Sequence, residues 1–206
     1  MRKRIYVSAD YANEDGDREV VNVLNKWGQD NKRIVDFVDM AQVVSGTVAN
    51  SEDCRICDLK AEFNRQINAS SVVVFVVGDK TANRAAGSAC CRMRLEQKDS
   101  TCTPYKDNWN GSKLCRVTSV RTTSENEDFG YINSCSYLMH EFEQARRKNK
   151  KILILFNSMR NEWSWLPTYM NGYENCAMPF WVYNSNGFKV GNYCKIKHAL
   201  GFDEES

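Results

Sequence analysis

Several things are missing from this 206-residue chain, and each absence removes a class of protein. No apolar run approaches the roughly 20 residues of a membrane-spanning helix. The start, Met1 to Ser8, is basic, and the chain has only a few apolar residues before it reaches Asp10. The long apolar segment and small-residue cleavage site of a secretion signal are therefore not there, and the stretch reads as a first strand. A formal net charge of +2 provides no concentrated basic face of the kind nucleic-acid binding needs. No G-x-G-x-x-G follows a strand and no G-x-x-x-x-G-K-[ST] occurs, so neither phosphate-cradling loop is present. There are only two histidines, His140 and His198. His140 is expected to project away from the apolar stripe of its helix, which leaves a Ser-His-Asp arrangement unsupported.

What is present is an apolar fraction of 42%, enough for one packed domain across residues 1–206. Nine cysteines, an odd number without a secretion signal, point to reduced thiols and a cytoplasmic location. In that setting the glycosylation-like triplets beginning at Asn68 and Asn110 are chance matches. Cys54 and Cys57 have C-x-x-C spacing, but both lie off the Ile56/Leu59/Phe63 face of a helix and no second pair follows. They read as two ordinary thiols, and no metal site is expected.

Apolar periodicity then sets out the elements. Arg4 to Ser8 reads as a short buried strand around Ile5 and Val7. After an acidic turn, a helix carries Val20, Val23, Leu24 and Trp27 on one stripe, with Glu14, Asp15 and Asp17 where a helix N-terminus favours negative charge. A second strand spans Arg33 to Val38, and a polar loop runs from Gln42 to Asn50. Ile56, Leu59, Phe63 and Ile67 mark a second amphipathic helix. The unbroken run Val72 to Val77 is what a central parallel strand, covered on both faces, looks like. A third helix covers about Ser136 to Asn149 and ends in the basic cluster Arg146 to Lys151, which complements its dipole. The buried strand Ile152 to Phe156 follows at once. A fifth strand is expected near Pro179 to Tyr183, in an aromatic-rich tail that reads as core or oligomer contact. Strands alternating with helices imply parallel pairing through right-handed crossovers, hence a doubly wound, mainly parallel α/β sheet of flavodoxin-like kind.

One region breaks the rhythm. Between Arg84 and Tyr137 lie about 50 residues, far more than the short loops usual in such folds. This polar insertion, residues 85–135, holds Cys90, Cys91, Cys102, Cys115 and Cys135, whose spacings fit no zinc module. It joins the carboxyl end of the Val72–Val77 strand to the third helix, so it borders the ligand edge of the sheet, either as a specificity loop or as a surface excursion.

On the third helix, Leu138, Phe142 and Ala145 cluster on one narrow face at about 100° per residue. Glu141 lies at the edge of that face beside Tyr137, whereas Glu143 and Arg147 point to solvent. Glu141 is also in the first turns of its helix, near the carboxyl ends of the strands where open α/β sheets bind ligands. On helix geometry alone the same residue reads first as a boundary glutamate that stabilises a helix start.

Ile5-Tyr6-Val7-Ser8-Ala9-Asp10-Tyr11 resembles the first strand and loop of Toll/interleukin-1 receptor (TIR) domains. Val74 to Arg84, with Gly78 and Thr81, is similar to the third strand and turn of the TIR-like proteins of bacterial Thoeris antiphage systems. Tyr137-Leu138-Met139-His140-Glu141 is similar to their Trp-Val-x-x-Glu element, with tyrosine in place of tryptophan and the glutamate in register. The resemblance covers roughly residues 1–84 and 136–156, and the insertion separates two elements that the family keeps adjacent. It implies a TIR-type fold and cleavage of NAD⁺ between nicotinamide and ribose, with Glu141 catalytic and NAD⁺ as substrate rather than cofactor. Ser8, Asp10, Tyr11, Thr81 and Tyr137 would line the pocket. Read as structure alone, Asp10 is a turn cap and Tyr11 a packing residue. The resemblance also implies a homo-oligomer, a phage-protein trigger, and a diffusible ADP-ribose-derived product that reaches a downstream effector.

The chemistry suits a single acid. Glycoside hydrolysis ordinarily takes two carboxylates because the leaving oxygen must be protonated. Nicotinamide leaves NAD⁺ as a neutral molecule and needs no acid, so one carboxylate that steadies the oxocarbenium charge suffices. Two other readings remain: a non-catalytic TIR-type interaction module, and a nucleoside deoxyribosyltransferase-like enzyme, whose doubly wound fold also carries a helix glutamate.

Overall fold

The computed structural model describes residues 3–9, 17–29, 35–39, 63–83, 101–102, 107–108, 111–112, 115–116 and 136–202. Its centre is a five-stranded sheet of β1 (Lys3–Ser8), β2 (Val35–Asp39), β3 (Val72–Val77), β4 (Lys151–Phe156) and β5 (Ala177–Pro179). Every neighbouring pair is parallel, in the order β2-β1-β3-β4-β5. The chain therefore steps from β1 outward to β2, crosses back over β1, and then moves steadily the other way. That reversal between β1 and β3 is a topological switch point, and open α/β sheets take ligands in the crevice it leaves at the strands' carboxyl ends.

Period-two alternation divides the strands between two apolar layers. On one face Ile5, Val7, Val72, Val74, Val76, Leu153 and Leu155 pack beneath α1 (Asp17–Gln29) and the C-terminal helix Tyr193–Ala199. On the other, Tyr6, Val73, Phe75, Val77, Ile152, Ile154 and Phe156 meet α2 (residues 63–69) and α3 (Tyr137–Arg147). All six residues of β3 are buried, because a helix layer covers each of its faces. Each large apolar side chain buried this way stabilises the fold by about 1.5–3 kcal/mol relative to exposure.

The expected strands and helices appear with shifted ends. On α1 the fully covered stripe is Val20, Val21 and Leu24, while Val23 and Trp27 pack at its margin. The fifth strand lies at Ala177–Pro179, earlier than expected. Beyond it the chain leaves the sheet: Trp181–Tyr183 pairs antiparallel with Lys189–Gly191 as a separate hairpin. Phe180 is the pivot, its N–H donating to the Phe156 carbonyl while its ring stacks on Trp27. The tail aromatics divide accordingly. Trp165, Tyr169 and Tyr173 pack against the α3-side core, whereas Tyr183 and Phe188 on the hairpin are two-thirds exposed.

Within the insertion, Thr101–Cys102 pairs antiparallel with Cys115–Arg116, and Asp107–Asn108 with Gly111–Ser112. The polar loop 42–50, Ile56, Leu59, Cys54, Cys57, Glu14 and Asp15 lie outside the described residues. Among the described residues no helix is long and apolar enough to cross a membrane.

Candidate active site

Helix α3 begins at a built cap. Ser136 is extended, at φ −61° and ψ 158°, and its hydroxyl oxygen accepts from the Met139 N–H at 3.0 Å. Such a cap satisfies one of the orphan donors of a first turn and starts the helix at a defined residue. The far end is equally specified. Lys150 N–H donates to the Ala145 carbonyl and Asn149 N–H to Arg146, with Asn149 at a positive φ of 49°. This is a Schellman closure on asparagine, and it turns the chain straight into β4.

Between these ends Leu138, Phe142 and Ala145 are fully buried against the sheet. Phe142 meets Phe75 edge-on at 5.4 Å and Tyr173 at 5.1 Å. Glu143 and Arg147 turn outward, as the helix period requires, and Glu143 pairs with Arg146 at 3.0 Å on the surface.

Glu141 goes inward and is 0% exposed. Both of its oxygens are engaged by β1: the Tyr6 hydroxyl donates to Oε1 at 2.8 Å, and the Ser8 hydroxyl donates to Oε2. Tyr6 and Ser8 are two residues apart, so they face the same side of the sheet, opposite to Ile5 and Val7. Ser8 is the last residue of β1, at the strand's carboxyl end, and it pairs with Phe75 of β3. A carboxylate from α3 is thus fastened to the strand that borders the switch point. A buried acid is tolerable only where hydrogen bonds replace its hydration, and two hydroxyl donors do that here.

A polar seam beside the acid sets the rotation of α3. His140 Nε2 and Asn64 Oδ1 of α2 are hydrogen-bonded at 3.0 Å, and Gln144 Nε2–H donates to Asn68 Oδ1 at 2.9 Å. Lys150 then donates to the carbonyls of Asn68 and Ser70, both at 2.8 Å. His140 is therefore buried, not directed away from the packed surface. The expectation from α3 alone fails because α2 lies alongside and covers a second flank.

The other expected site residues divide three ways. Ser8 joins Glu141. Thr81 is buried at the end of β3, but its Oγ1 accepts from the Gly78 N–H at 2.8 Å, which makes it the clasp of a turn. Tyr137 is half-buried at the start of α3, its ring edge-on to Phe63 at 5.7 Å. Asp10 and Tyr11 lie outside the described residues.

Two residues escaped the sequence reading. Tyr6 was hidden inside an apolar strand, although its phase with Ser8 and the need of a buried phenol for a partner were both legible. Asp17 read as a helix-start charge, yet it is buried. Asn157 Nδ2–H donates to Asp17 Oδ1 at 3.2 Å, and Trp181 Nε1–H donates to Asn157 Oδ1 at 2.7 Å. This chain ties α1, the end of β4 and the hairpin together on the face opposite Glu141.

No protein-family model matches the chain, and no curated protein matches it.

Proposed function

We propose that the protein is a TIR-like enzyme that cleaves NAD⁺ at the nicotinamide–ribose bond, with Glu141 as its catalytic residue. The observation that carries this reading is a buried carboxylate at the switch-point edge, held through both oxygens by Tyr6 and Ser8. The C1′–N bond breaks heterolytically, its electron pair returns to the pyridinium nitrogen, and nicotinamide leaves neutral. Glu141 lies against the resulting oxocarbenium ion and accepts hydrogen bonds from the ribose hydroxyls. Water, or a nucleophile within the ADP-ribose itself, then captures C1′ and releases a proton. Spacing along residues 1–84 and 136–156 supports the TIR-type assignment, and with it a cytoplasmic homo-oligomer that a phage protein triggers and whose product acts on a downstream effector.

A second reading is favoured by one observation: Glu141 is wholly enclosed, as a structural tie between α3 and β1 would be. On that reading the domain is a non-catalytic interaction module. Purified protein incubated with NAD⁺ and followed for nicotinamide release separates the two. The enzyme reading expects release that Glu141→Gln abolishes while the circular dichroism spectrum is kept. Equal rates in wild type and variant would make Glu141 structural. Base release from a 2′-deoxynucleoside, but not from NAD⁺, would instead mark a deoxyribosyltransferase.

A further inference from the structure

We infer that Tyr6 is a positioning residue acting through Glu141: its hydroxyl anchors Oε1 from within the sheet and leaves Oε2, on the Ser8 side, to meet the substrate. This rests on Glu141 being the acid of NAD⁺ cleavage.

The two donors to Glu141 are not equivalent. Ser8 ends β1, whereas Tyr6 is two residues further back, about 7 Å along the strand. Tyr6 is fully buried, its ring packed in the layer that also holds Phe63, Phe75, Leu138 and Phe142. A ring so enclosed cannot swing its hydroxyl elsewhere, so the 2.8 Å bond to Oε1 is a fixed one. The Ser8 hydroxyl, also buried, turns about a single torsion at the carboxyl end of β1. It can yield its place on Oε2 to a ribose hydroxyl, or accept from one, without moving the backbone.

Packing alone does not explain a tyrosine at this position. Phenylalanine fills the same volume without burying a hydroxyl. What the hydroxyl adds is a second fixed point for a side chain that otherwise rotates about three torsions. With one oxygen anchored, the plane of the carboxylate is set before substrate arrives, which is the condition under which a charge stabilises a developing cation most effectively. Tyr6 therefore contributes to the rate of the chemical step, and Ser8 to substrate binding.

The test compares Tyr6→Phe and Ser8→Ala with wild type across a range of NAD⁺ concentrations, each checked by circular dichroism. Tyr6→Phe is expected to lower kcat about tenfold or more with KM within about twofold, as loss of an interaction that matters in the transition state does. Ser8→Ala is expected to act mainly on KM. A Tyr6→Phe protein with wild-type kcat, or with a defect in KM alone, overturns the assignment of Tyr6 while leaving Glu141 in place. Wild type that releases no nicotinamide overturns the functional reading and this assignment together. Should Tyr6→Phe not fold, the double variant Tyr6→Phe/Glu141→Gln decides. A folded double variant supports the bond to the carboxylate as the reason, and an unfolded one beside a folded Glu141→Gln overturns it.

Discussion

Asn64 and His140 meet across the buried seam between α2 and α3 at 3.0 Å, and one helical turn later Asn68 and Gln144 repeat the pairing at 2.9 Å. Both partners advance by four residues, so the two helices run side by side in the same direction with matched phase. An amide oxygen only accepts, so His140 Nε2 is the donor in this contact. The seam matters to the site because His140 precedes Glu141 in the chain, and any rotation of α3 that broke it would turn the carboxylate away from β1.

Asn64→Ala should therefore weaken two properties at once. The lost hydrogen bond costs about 1 kcal/mol of stability, measured as a lower urea midpoint. Nicotinamide release should fall in parallel, with the circular dichroism spectrum retained. A stability loss with fully unchanged activity would show that the seam does not govern the orientation of Glu141.

The Ser136 cap makes a second point of control. Ser136→Ala removes the acceptor of the Met139 N–H and should cost about 1 kcal/mol, as such caps do. Ser136→Asp preserves an acceptor at the same place and should recover most of the loss. Thermal unfolding of the two variants checks this. Equal midpoints in both would mean that the helix start is held by its neighbours rather than by its cap.

Gly78 stands where β3 ends, against the Asp17 carboxylate. A Cβ built on Gly78 would lie 2.5 Å from Asp17 Oδ1 and 3.0 Å from Oδ2, closer than real contacts allow. Gly78→Ala must push the buried aspartate off its bond with Asn157, at a cost of about 1–3 kcal/mol. Asp17→Ala removes the obstacle, so the Gly78→Ala penalty should shrink in that background. A double-mutant cycle by urea unfolding measures the coupling. Simple additivity would show that the clash is relieved by backbone movement instead.

Glu174 supplies a pH dependence whose sign is set by one turn. The Gly172 N–H donates to its carboxylate at 3.1 Å and holds its pKa below the ordinary value of 4.5. The folded state thus favours the charged form, and the linked stability is present above the unfolded pKa and lost as pH falls through the lower folded one. Glu174 is fully solvated, so the effect on unfolding is small and its midpoint is best read directly, by NMR titration of the side-chain carboxyl. Glu174→Gln should be indifferent to pH across that window. A Glu174 titration at or above 4.5 would refute the bond in solution.

The limits of sequence reading are clearest at His140 and Glu141, which are neighbours in the chain. Helix period separated Glu141 from Glu143 and turned it toward the sheet, because the direction of a side chain about its own helix is a local property. It misplaced His140, because burial on a second flank depends on α2, whose neighbourhood is set by the crossover and not by α3. Thr81 shows the same division: its place at a strand edge was legible, but its hydroxyl is spent on the Gly78 turn.

The sequence by itself determined the alternation of strands and helices, the two-sided burial of Val72–Val77, the start of the third helix near Ser136 and the inward face of α3. Each follows from a period of two or 3.6 residues or from a terminal residue acting on its own turn. Only the tertiary structure decided that Glu141 is fastened by Tyr6 and Ser8, more than a hundred residues earlier. It also joined Asp17 to Asn157 and Trp181, and sent the chain out of the sheet after Pro179. Those contacts arise where strands separated in sequence come to lie edge to edge, and no local periodicity encodes which strand becomes the neighbour of which helix.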